Sequence, residues 1–206
     1  MALVKLNNRG VRSATAFGSI TGLGSMVFIK KVTASSSATV SFVDGTSDVV
    51  LDDTYKEYLF TFNNIHPATD NVNFTFQGNA AGGSGYNETI TSTWFVAYQN
   101  EAGSATSLEY NTGNDLAQST SFQILQDACG NDNDQSLAGY LHLFNPSSTT
   151  FVKHFIARCN FTHYQDYQID QYTAGYCNVT AAIDGVQFSM SSDNIDAGTF
   201  KLYGVV

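Results

Sequence analysis

The sequence predicts an all-β fold: an antiparallel, jelly-roll-like β-sandwich over residues 25–206, preceded by an extended N-terminal arm over 1–24. Three observations predict it. Apolar and polar residues alternate in run after run, the period of a half-buried strand. Clusters of Gly, Asn, Asp, Ser and Pro separate the runs at short intervals. No stretch keeps helical apolar spacing for three turns. Regularly spaced strands with turns between them pack as a sandwich or barrel, and no short repeat points to a solenoid or propeller.

Residues 1–24 read as an arm because Gly10, Gly18, Gly22 and Gly24 interrupt short apolar pieces that carry too little surface to fold alone. Such an arm is suited to docking in extended form along a sheet edge. Ser25–Thr33 and Ala38–Val43 then flank a Ser-rich turn, and Val49 and Leu51 lie in a short apolar patch closed by acids. Thr54–Asn79 has the clearest alternation. Tyr58, Phe60 and Phe62 share one face, as do Val72, Phe74 and Phe76 beyond a Pro67-containing turn, which reads as two strands of a half-buried sheet. Asn71, Asn73, Thr75 and Gln77 form the opposite, polar face of the second strand.

Glu88–Tyr98 is a long strand with Ile90, Ser92, Trp94, Val96 and Tyr98 on one face. Gln99–Ser121 reads as a long polar excursion, and Asp127–Ser136 as a second polar loop. Leu137–Phe144 and Thr150–Cys159 make the clearest hairpin, with Asn145–Thr149 as its turn. Both faces of its second strand are partly apolar, so that strand belongs in the middle of a sheet. Asn160–Tyr172 reads as an aromatic loop; Tyr172–Ala181, Ile183–Ser189 and Thr199–Val206 are the remaining strands. The total is about nine or ten strands.

A chain of 206 residues fits one domain with an appended arm. Charged residues are only 13% of it, about half the usual globular share, so Asn, Ser, Thr, Gln and Gly must solvate the surface. Their distribution is uneven. Lys5, Arg9, Arg12, Lys30 and Lys31 all precede the first acid, Asp44, giving residues 1–43 a charge of +5. Residues 44–206 hold the other four basic residues against all 18 acids, a net of −14. The basic leader therefore suits an acidic partner, with those five side chains as anchoring candidates. The acidic body would repel nucleic acid. No run approaches the roughly 20 apolar residues of a membrane span.

Sites of chemistry are sparse. Cys129, Cys159 and Cys177 are odd in number and widely spaced, so reduced thiols are expected, with a Cys159–Cys177 bridge as the one pairing worth checking. His66, His142, His154 and His163 have no ligand spacing, and His142 and His154 lie on neighbouring strands of the hairpin. Asn131–Asp134 carries oxygen ligands of the kind calcium takes but lacks the Gly and distal Glu of a calcium loop; it and the Asp193/Asp196 pair read as turns. The Gly78–Asn87 stretch has no Lys-Ser/Thr and is a strand connection, not a phosphate loop. No nucleophile elbow or paired-carboxylate pattern is present, and no cofactor is called for.

Three segments, Thr54–Asn79, Ser136–Phe155 and Asn194–Gly204, with the opening MALVKLNNRG, resemble a family of virion structural, tail-fibre-like proteins of marine tailed bacteriophages. The resemblance implies a β-rich, non-catalytic component of a phage particle, and its motifs are strands and turns that nominate no site. By analogy with such components, the expected partners are other virion proteins of capsid or tail and further copies of the chain, with a trimer favoured. The expected place is the virion surface after assembly in the host cytoplasm. A tail fibre would contact a host surface glycan, with loop residues Tyr110, Tyr164 and Tyr167 as stacking candidates; packing within the domain is the plainer role for them. A capsid decoration protein would instead cross its arm onto the shell. A free carbohydrate-binding module and a jelly-roll hydrolase are the competing readings.

Overall fold

The computed structural model describes residues 25–206. They form two antiparallel sheets. The larger has eight strands in the spatial order β1 (Met26–Ser37), β12 (Ile195–Val205), β3 (Glu57–Pro67), β8 (Leu137–Phe144), β9 (Lys153–Thr162), β10 (Tyr167–Cys177), β5 (Ile90–Asn100) and β6 (Thr106–Tyr110). The smaller has four, in the order β2 (Val40–Val43), β11 (Ile183–Met190), β4 (Val72–Ala80) and β7 (Gln123–Cys129). The expected all-β sandwich is therefore present. Among the described residues no helix is long and apolar enough to cross a membrane.

Alternation fixes the core between the sheets. Phe60, Phe62 and Phe200 of the large sheet and Phe42, Phe74, Phe76 and Phe188 of the small one are at most 1% exposed. Phe188 lies among them, with ring centroids 5.1 Å from Phe62, 5.5 Å from Phe60 and 5.6 Å from Phe200. Edge-to-face and offset contacts of this kind set the quadrupoles favourably in addition to burying area.

Two expected strand pairs resolve differently. β3 and β4 belong to opposite sheets, and their aromatic faces meet across the sandwich, with Phe62 and Phe74 5.2 Å apart. Asn64 and Asn71, both at positive φ, redirect the link between them. β1 and β2 likewise part to different sheets. Alternation states which face is inward but not which strand lies beside it, so both pairs fit either arrangement.

The β8–β9 hairpin forms as expected, and β9 lies inside the large sheet. The polar excursion 99–121 contains β6, and the aromatic loop 160–172 shrinks to a tight turn between β9 and β10. The supposed polar face of β4 is covered. Gln77 is fully buried and donates to the carbonyls of Glu88, Thr120 and Ser121 at 3.0–3.2 Å. Val49 and Leu51 are buried, outside any strand.

The three cysteines are free and buried. Register disposes of the candidate bridge: Cys177 lies opposite Lys153, six residues along β9 from Cys159, or roughly 20 Å at strand rise. Burial also pushes the Cys177 thiol up to about 12.

Candidate functional site

The large sheet has twice the strands of the small one, so its far end, β10–β5–β6, extends past β7. The segment after β6 folds back beneath β5. Ser92 donates its backbone N–H to Leu116, whose own N–H reaches Ser92 Oγ, both at 2.9 Å. Ile90 and Ser119 exchange two backbone bonds. That cover reaches only the first half of β5. Beside the second half a cleft of about 210 Å³ remains open.

One wall is the inner face of the large sheet. Trp94, Val96 and Tyr98 come from β5, and Tyr167 and Ile169 from β10. Tyr98 and Tyr167 meet edge to face at 5.6 Å. Trp94 is 1% exposed, and its indole N–H has no hydrogen-bond partner, an uncommon state for a buried donor.

The other wall is polar. Asp127 enters from β7, Glu109 from β6, and His163 and Gln165 from the β9–β10 turn. Asn114 donates to Asp127 Oδ2 at 2.8 Å. Burial nonetheless raises the Asp127 carboxyl above its ordinary range, against the opposing pull of Asn114 and His163. Burial likewise lowers the His163 imidazole, opposed by Asp127 and Asp70. Desolvation thus moves both groups toward their neutral forms. His163 Nδ1 accepts the Gln165 backbone N–H at 3.1 Å, which leaves the neutral ring's proton on Nε2. Tyr164 lies against the same imidazole at 4.5 Å.

The expected site residues scatter. Tyr167 lines the cleft, and Tyr164 backs His163. Tyr110 is paired with Phe95 on the outer face of the sheet, and its hydroxyl bonds to Asp115. The three do not form one stacking platform. Lys30 and Lys31 point to opposite sides of β1. Lys30 Nζ donates to Ser47 O at 2.7 Å, while exposed Lys31 lies opposite Lys201. Lys5, Arg9 and Arg12 lie outside the described residues.

Among the described residues no group of three or more His, Cys, Asp or Glu side chains is placed to hold a metal ion. The Asn131–Asp134 segment is a turn in which Gln135 N–H bonds to Asp132 O at 2.9 Å. Asp193 accepts from Thr69 Oγ1 at 2.8 Å, and Asp196 lies 3.7 Å from His66. His142 Nε2 lies 3.0 Å from Glu57 Oε2 without hydrogen-bond geometry, and His154 lies beside Tyr176, so the two histidines do not pair.

Trp94, Tyr98, Glu109, Asp127 and His163 were not nominated by sequence. The shared face of Trp94 and Tyr98 was visible in the alternation of β5; their convergence with three distant polar residues was not. What the fold and cleft define is an all-β sandwich with an open aromatic and acidic pocket at the overhanging end of its larger sheet. No protein-family model, curated protein or solved structure matches this chain.

Proposed function

We propose that this chain is a non-enzymatic structural protein of a bacteriophage particle, exposed on the particle surface as a tail-fibre or capsid-decoration component and anchored by its basic N-terminal arm. The observation that carries the reading is where the arm joins the body. Ser25, the first described residue, precedes β1, an edge strand of the large sheet, with Met26, Phe28 and Lys31 exposed along it. A basic, Gly-interrupted leader that precedes this edge strand in the sequence of an otherwise acidic chain suits attachment to an acidic surface, whether a virion protein or another copy.

The strand order supports a jelly-roll reading of the body. β1-β12-β3-β8 over β2-β11-β4-β7 alternates between the sheets as two Greek keys do, and β5–β6 and β9–β10 are then hairpins inserted into that frame. Partners on this reading are capsid or tail proteins and further copies of the chain, with a trimer favoured, and assembly takes place in the host cytoplasm.

Gold-labelled antibody on intact particles tests the proposal. Label over the head supports decoration, and label at the tail supports a fibre role. Particles that carry no label overturn it. Deleting residues 2–24 should abolish particle binding while the body keeps its melting midpoint; unchanged occupancy would remove the anchor from the proposal. The cleft favours a second reading, a carbohydrate-binding module without a particle, which glycan binding by a chain that never labels particles would support.

A further inference from the structure

We infer that the cleft between β5, β10 and β7 binds a single neutral sugar residue, such as the terminal unit of a glycan chain. Size comes first. At about 210 Å³ the cleft lies below the roughly 300–1,000 Å³ of pockets for drug-sized ligands, which suits one ring rather than several. Its chemistry is divided as a sugar ring is. Tyr98 and Tyr167, both half-buried, offer aromatic surface to the C–H faces of a pyranose, while Trp94 is buried in the same wall. Opposite them, Asp127 and Glu109 accept hydrogen bonds from hydroxyls, and the amides of Asn111 and Gln165 both donate and accept.

The buried indole N–H of Trp94 is the independent sign of a missing partner. A donor desolvated without an acceptor carries a cost, and because this N–H is closed to solvent, a ligand hydroxyl removes that cost only by a shift of the indole toward the cleft on binding. His163 presents a second donor, Nε2–H, because its Nδ1 is occupied by the Gln165 backbone. A polyol answers both needs, since each hydroxyl donates to a carboxylate and accepts from an N–H.

The same lining excludes other ligands. It contains no Lys or Arg and two carboxylates, so phosphates, sulfated sugars and uronic or sialic acids would enter against repulsion. A purely apolar ligand would strand Asp127 and the indole N–H. The outer face of the sheet is not the sugar platform. There Phe95 and Tyr172 stack on each other at 4.8 Å, and the Arg158 guanidinium lies over the Tyr172 ring at 4.8 Å, so the Tyr172 ring is already engaged.

The chain has one tryptophan, so its emission reports on this cleft alone. The full chain is titrated with glucose, galactose, mannose and N-acetylglucosamine to about 100 mM, well above the millimolar dissociation constant expected of so small a ligand. Saturation-transfer NMR is recorded on the same samples. At least one of these sugars should shift the emission saturably and receive transfer. Tyr167→Ala and Asp127→Asn should weaken that binding at least tenfold, as should Glu109→Gln, on an exposed edge strand where folding is least at risk. Tyr203→Ala, on the far side of the sheet, should leave it unchanged. Neither signal from any of the four sugars would overturn the inference. So would stronger binding of glucuronic or N-acetylneuraminic acid, tighter binding of the glucosamine amine, or full affinity in the cleft variants. The titration uses free protein and the labelling uses particles, so this inference and the proposed surface role fail separately.

Discussion

Phe188 is the side chain on which the two sheets most depend. It stands on β11, fully buried, and its ring lies within 6.4 Å of six other phenylalanine rings drawn from both sheets. Truncation removes its transfer energy and leaves a cavity that rings on two facing sheets have little freedom to fill. Phe188→Ala should therefore cost about 4 kcal/mol, read as a lower urea midpoint at unchanged slope. A loss under about 1 kcal/mol would mean that the site collapses freely. Asp127 makes the opposite case. Its raised pKa means that the folded state keeps the proton to higher pH than the unfolded chain does. Across that window stability falls as pH rises, and the charged carboxylate burdens the fold at neutral pH. Asp127→Asn should thus raise the melting midpoint at pH 7 and flatten its decline above the unfolded carboxyl range, while weakening sugar binding. Such opposition between stability and function is what a binding residue produces; a variant that loses both would mark Asp127 as structural.

β9 depends on a tie that its own hydrogen-bond ladder does not supply. Lys153 is fully buried, and its ammonium lies 2.7–3.1 Å from the carbonyls of Phe151, Val179, Thr180 and Ala181, which fastens the β10–β11 connection to the start of β9. Burial pulls the ammonium below the usual lysine range, while four carbonyls favour its charged form. Lys153→Met keeps the volume but leaves those carbonyls unpaired. It should cost about 3 kcal/mol in denaturant and speed amide exchange at Ile183, whose N–H bonds to Pro146 O at 2.9 Å beside the tie. An unchanged midpoint would mean that water replaces the ammonium. In sequence Lys153 is only one more alternating residue, and its position shows what was legible. Alternation placed Phe60, Phe62, Phe74 and Phe76 inside, and Asn145–Pro146 marked the one expected hairpin whose strands do pair. Sheet membership was not legible for β3 and β4, because a strand facing its partner across a core has the same pattern as a strand beside it. β6 was missed because its five residues alternate too weakly on an exposed edge. The cleft was missed because Trp94, Asp127 and His163 converge only after the chain has passed through β6, β7, β8 and β9.

At the scale of the molecule, the large sheet presents two working surfaces of different character. Its inner overhang carries the cleft. Its outer face carries a row in direct register, Tyr140, Arg158, Tyr172, Phe95 and Tyr110, and at the opposite edge Met26 and Phe28, 51% and 56% exposed, with Phe28 packed edge-on to Tyr203. Exposed aromatics with an arginine among them have the composition of protein interfaces, which makes this face a candidate contact surface. A second copy is the occupant to test first. The same strand as Phe28 carries Lys30 and Lys31, and a neighbouring acidic body supplies the opposite charge. β12 and β5 are five strand spacings apart, roughly 24 Å, far enough for changes at the two surfaces to act independently. Phe28→Ser should therefore lower the average mass seen in sedimentation equilibrium of the full chain and leave the emission titration of Trp94 unchanged. Tyr167→Ala should do the reverse. A Phe28→Ser chain with unaltered mass would move the contact between copies off the β1 edge, and a variant that changed both readouts would show that assembly and the cleft are one surface.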